Sequence, residues 1–94
     1  MKSDAPTRDI VAALRSAGCT VHYLLSRPGA GQAGMPDLLV GVLGVTYLLE
    51  VKTATGVLGP AQIAWHRGWN GGSVVVVRDV SQALTAVGLL KVAA

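Results

Sequence analysis

Residues 34–52, GMPDLLVGVLGVTYLLEVK, decide how this chain folds. Two apolar runs, 37–43 and 45–52, meet at Leu43-Gly44 and read as two strands of a hairpin. Neither run alternates strongly between apolar and polar residues, which predicts burial on both faces of the sheet. A turn centred on Leu43-Gly44 sets Asp37 opposite Glu50. Directly opposed side chains in an antiparallel pair have Cβ atoms about 4.5–5.5 Å apart, and like charges there are destabilising unless something positive lies between them. A divalent cation is the natural candidate. Strand side chains alternate, so Lys52 shares the face of Glu50, about 6.5–7 Å further along, whereas Val51, Leu49 and Tyr47 point the other way.

On the N-terminal side of this hairpin, Ile10, Val11 and Leu14, with Ala13 and Ala17, form a helical stripe that starts near Thr7 and ends at Gly18. Residues 20–25 are β-branched and aromatic and predict a strand. It leads into a Gly-rich loop, 26–35, that carries Arg27 and Gln32. On the C-terminal side, Gly56 and Gly59-Pro60 break the chain. Pro60 suits the first turn of a helix running to about residue 70, closed by Gly71-Gly72. Four consecutive valines, 74–77, read as a buried strand. Ser81 is the expected N-cap of a last helix through about residue 90, with Ala83, Leu84, Val87 and Leu90 on one stripe. The order αβββαβα predicts an α/β fold, a mixed sheet flanked by helices, as a single domain over residues 1–94.

The chain has 94 residues, 51% apolar and only 14% charged, with a mean hydropathy of +0.50, so it is far from the composition of a disordered segment. It has no Phe, so the core must be aliphatic. A domain this small leaves surplus apolar surface, and a homodimer is the expected remedy because the lone Cys19 excludes an internal disulfide. The same lone cysteine points to a reducing, cytoplasmic setting. The longest apolar stretch, 38–49, falls short of the roughly 18–20 residues that span a bilayer, and residues 1–8 lack a secretory pattern. Neither a membrane nor an organic cofactor with its own domain is expected. A net charge of +3 and a pI near 9.5 favour a polyanionic partner such as nucleic acid.

Two carboxylates in apolar company, with an ammonium beside them, suit phosphodiester hydrolysis. Mg²⁺ or Mn²⁺ on Asp37 and Glu50 keeps waters that a phosphate and a nucleophile can replace. Lys52 would position the attacking water or offset charge in the transition state.

Gly34-Met35-Pro36-Asp37, then Glu50-Val51-Lys52, then Gln62 in the following helix resemble the PD-(D/E)xK nuclease superfamily. Within it the chain is most similar to small stand-alone VRR-NUC domains, virus-type replication-repair nucleases often found in phage and related to Holliday junction resolvases. The likeness covers nearly the whole chain, including the later Gly-Gly and Val run. It implies a restriction-endonuclease-like sheet and a Mg²⁺- or Mn²⁺-dependent endonuclease that nicks DNA or cuts branched DNA. Asp37, Glu50 and the backbone carbonyl of Val51 would hold the metal, Lys52 would be catalytic, and Gln62 would support the site or touch the DNA backbone. The family's first-helix Glu has no direct counterpart here; Asp4 and Asp9 are the nearby acids, and this departure bears more on rate than on fold. A catalytically silent nucleic-acid-binding module on the same fold is the alternative.

The remaining polar candidates are assigned to DNA. Arg27 and Gln32 border the expected cleft on a basic, Gly-rich loop, and His66 and Arg67 follow Gln62 on the same helix. His66 lies one turn from Gln62 and suits either the cleft or a solvated helix face. His22 is read as a structural or surface residue. The Trp65 and Trp69 pair, at i and i+4, is read as core or dimer packing, and Cys19 as a small buried hydrophobe.

Overall fold

The computed structural model describes residues 5–24 and 32–91. Along the chain run α1 (Thr7–Ser16), β1 (Thr20–Tyr23), β2 (Leu38–Val42), β3 (Val45–Val51), α2 (Pro60–Gly68), β4 (Val74–Val77) and α3 (Val80–Ala86), the order expected from the sequence. The strands form one sheet in the order β1-β2-β3-β4. The first two pairings are antiparallel and the third, β3 with β4, is parallel and bridged by α2. The fold is therefore α/β with a mixed sheet flanked by helices.

The hairpin has the expected register: Leu38 pairs with Leu49, and Val42 with Val45 across the turn. Leu43 and Gly44 both have positive φ, 50° and 80°, which is the type I′ geometry whose twist matches the flanking strands. Leu43 occupies a left-handed conformation at 90% exposure, gaining nothing from packing to offset the strain. Leu43→Asn is expected to raise stability by about 1 kcal/mol, read from the urea midpoint; a lower midpoint would show that Leu43 makes a contact that outweighs the strain.

Side-chain alternation sends Leu38, Val40, Leu49 and Val51 to one face of the sheet. There they pack with Val21 of β1, Val77 of β4, Ile10, Val11 and Leu14 of α1, Ala83 of α3 and Val87 at its C-cap. Burying each such Leu or Ile contributes about 1.5–3 kcal/mol. The other face carries Leu39, Leu48, Glu50 and Val76, in register across β2, β3 and β4. No helix among the described residues is long and apolar enough to cross a membrane.

Several boundaries differ from the sequence expectation. The last helix is capped by Asp79, whose Oδ1 accepts the Gln82 N–H at 2.7 Å, rather than by Ser81; a carboxylate at that position meets the N–H of N3. That helix stops at Ala86, and Leu90 is 43% exposed instead of closing the stripe. Val74, Val75 and Val76 are half-buried, not buried, because β4 is an edge strand. The helix after Pro60 ends at Gly68 and has no fully buried side chain, so α2 rests lightly on the second face of the sheet.

Candidate functional site

Glu50 is the one charged residue among the described ones that is fully buried, at 2% exposure. Its backbone is central in β3, paired in register with Val76 of β4, and alternation turns its side chain away from the aliphatic core toward α2. A carboxylate so placed needs partners, since burial without them costs several kcal/mol.

Asp37 supplies the first neighbour. It lies just before β2, held by its own N–H on Leu49 O at 3.0 Å and by its carbonyl, which accepts the Leu24 N–H at 2.9 Å. Its Oδ2 accepts the Val51 N–H at 2.7 Å. In a strand the N–H and C=O of one residue point to the same side, so the Val51 carbonyl is also turned toward Asp37. Burial, then a hydrogen bond to Asp37 and the charge of Asp37, push the Glu50 carboxyl up from 4.5 to about 8, with Lys52 pulling the other way. The two carboxylates and Lys52 therefore act on one another, although the paired register ends at Leu38 with Leu49 and Asp37 lies one residue beyond it.

Gln62 is the second neighbour, and the start of α2 dictates its orientation. Its Oε1 accepts the Gly59 N–H at 2.9 Å, half of a capping box. That leaves Nε2 as a donor, which it gives to Glu50 Oε2 at 3.1 Å. One turn later His66 Nε2 stands 3.7 Å from Glu50 Oε1, with the His66 side chain 17% exposed. Both of those atoms are buried without a hydrogen-bond partner, an arrangement that costs about 1–3 kcal/mol per atom. Of the two placements expected for His66, the structure takes the one toward Glu50 and not the solvated helix face.

Gly34 sets how closely α2 approaches. Its φ is +85°, and a Cβ added there would run into the carbonyl of Ala61 in the first turn of α2. Gly34→Ala is expected to push α2 off the sheet, lowering stability by roughly 2 kcal/mol and freeing the Gln62 side-chain amide. Its proton resonances then move to solvent-like shifts, whereas unchanged shifts would mean that the helix tolerates the methyl group.

Lys52 follows β3, its N–H donating to Val77 O at 3.0 Å. Arg78 ties down the loop beyond it, with Nη1 donating to Thr53 O at 2.6 Å and Gly56 O at 2.7 Å. Sequence reasoning missed this clamp, since an Arg after a Val run carries no local signal for a partner twenty-odd residues away. For His66 the signal was present in its spacing of four from Gln62.

The other expected residues lie apart from Glu50. Arg67 and Gln32 are exposed, and Gln32 lines a shallow cavity of about 300 Å³ with Trp65 and Trp69. Arg27 and Asp4 lie outside the described residues. Asp9 is exposed on α1, whose buried face packs on the opposite side of the sheet from Glu50. Trp65 and Trp69 stack at 4.9 Å, which covers one face of each indole, and Gly71 lies close against the Trp69 ring. A larger concavity of about 600 Å³ between β4 and α3 contains no acidic residue. Burial pushes the Cys19 thiol up, away from nucleophilic use.

The donor set of Asp37, an unpartnered Glu50 oxygen and a neighbouring backbone carbonyl has the hard-oxygen chemistry that Mg²⁺ or Mn²⁺ takes. Comparison with protein-family models and with curated proteins finds no match to this chain.

Proposed function

We propose that this chain is a Mg²⁺- or Mn²⁺-dependent DNA endonuclease of the PD-(D/E)xK type, similar to stand-alone VRR-NUC domains. The observation that carries it is the buried Glu50, set beside Asp37 and Lys52 with one carboxylate oxygen left unpartnered. A buried polar atom that accepts no N–H calls for an explanation, and a bound cation is one that fits this donor set.

In this mechanism Asp37, Glu50 and the Val51 carbonyl would hold the cation, which polarises a phosphoryl oxygen and makes a neighbouring water a better nucleophile. Gln62 fixes one carboxylate oxygen of Glu50, so the other keeps a constant direction. Lys52, with its backbone held by Val77 and its following loop by Arg78, places an ammonium where charge develops as the phosphodiester opens. The products would be a 5′-phosphate and a 3′-hydroxyl. A second copy of the chain would cover Ile63, exposed on α2, and Trp69 at the C-cap of that helix.

The test is nicking of supercoiled plasmid with Mg²⁺, Mn²⁺ or EDTA. Metal-dependent relaxation supports the proposal. Salt-sensitive DNA binding that ignores EDTA and substitutions at Asp37 and Glu50, with no cleavage of plasmid or branched DNA, would replace it with a silent binding module.

A further inference from the structure

Glu50 and Asp37 each have two carboxylate oxygens, and each gives one of them to a neighbouring N–H. Glu50 Oε2 accepts from Gln62, and Asp37 Oδ2 accepts from Val51. What remains on Glu50 is Oε1, buried and accepting no N–H, and His66 Nε2, also buried without a hydrogen-bond partner, stands 3.7 Å from it. Two lone-pair-bearing atoms facing each other at that distance repel unless a proton or a cation lies between them. No other acid among the described residues competes for this place: Asp9 is exposed on α1 and Asp79 caps α3.

We infer, resting on the cation site proposed above, that His66 is itself a ligand, so that Asp37, Glu50 and His66 form a mixed oxygen and nitrogen site selective for Mn²⁺ or another first-row transition ion over Mg²⁺. Ligand bonds of about 2.1 Å put adjacent donors on one ion about 3 Å apart. Glu50 Oε1 and His66 Nε2 therefore have to close by less than ~1 Å. As they stand, no three His, Cys, Asp or Glu side chains among the described residues are grouped closely enough to hold an ion. The closure falls to the Glu50 and His66 side chains, because α2 is already packed backbone to backbone against Gly34. Imidazole nitrogen suits first-row transition ions, whereas Mg²⁺ takes oxygen and keeps its waters, so the added nitrogen is what discriminates between them.

The test uses the untagged full chain and Mn²⁺ as the probe. The chain has only two histidines, so a nitrogen signal can be assigned by substitution. Electron spin echo modulation of bound Mn²⁺ is expected to show coupling to one imidazole nitrogen in the wild type and in His22→Gln. The coupling should vanish in His66→Gln, with Mn²⁺ affinity at least tenfold weaker and Mg²⁺ affinity changed less than about threefold. Mn²⁺ bound without nitrogen coupling in the wild type, or equally tightly by a folded His66→Gln, overturns the assignment. The wild-type spectrum decides even if the variant fails to fold. Plasmid nicking separates the two proposals. Nicking without nitrogen coupling removes His66 and keeps the nuclease, whereas nitrogen-coupled Mn²⁺ with no cleavage of any DNA keeps the site and removes the nuclease. A wild type that binds no Mn²⁺ overturns the ligand assignment.

Discussion

Lys52→Ala is expected to abolish metal-dependent nicking, a fall of roughly 10²–10⁴-fold, while leaving the fold intact. The expectation follows from where the chain spends its contacts. The backbone of Lys52 is held by Val77 O and the loop after it by Arg78, neither of which involves the Lys52 side chain. Truncating a half-buried stem therefore removes little packing. What it removes is the ammonium that offsets the two carboxylates at Glu50. Cleavage rates at saturating DNA, compared with binding at the same ionic strength, separate the effects. A lost rate with retained binding fits a transition-state role, and an equal loss of both would reduce Lys52 to a binding contact. A folded variant that nicks as fast as the wild type would remove the nuclease proposal.

The second large effect concerns stability. Burial, with the hydrogen bond and charge of Asp37, holds the Glu50 carboxyl at about 8 in the folded chain, against 4.5 for an ordinary Glu. Between those values the folded state keeps a proton that the unfolded state has released. Raising the pH through this window therefore favours unfolding, by up to about 1.4 kcal/mol per pH unit from this group. Below 4.5 both states are protonated and the effect is absent. Glu50→Gln, which resembles the protonated carboxyl, should match the wild type near pH 4.5 and exceed it by a few kcal/mol at pH 8. Urea unfolding across this range checks it, and a wild-type stability that rises toward pH 8 would show that Glu50 ionises readily in the fold. Mn²⁺ added at pH 8 should restore the wild type and leave the variant unchanged, since the ion binds only a folded site that carries the charge.

What the sequence determined by itself is the hairpin and its consequence. A two-residue turn at Leu43-Gly44 leaves one register for the strands around it, and a strand period of two then fixes which side chains share a face. Asp37, Glu50 and Lys52 were legible as a group for that reason. The stripe of Ile10, Val11 and Leu14 was legible because a helix repeats every 3.6 residues against a core. The tertiary structure alone decided what meets the group from the other side. No residue of α2 is fully buried, so its pattern did not declare a face, and only its docking over Gly34 brings Gln62 and His66 onto Glu50. A run of four valines reads the same in the middle of a sheet as at its edge, and only strand order made β4 the edge. Arg78 reached the loop after Lys52 because β4 lies parallel to β3, a pairing through a crossover helix that no local pattern encodes. Local periodicity settles which face a residue takes, whereas contacts between elements distant in the chain are settled only when those faces pack.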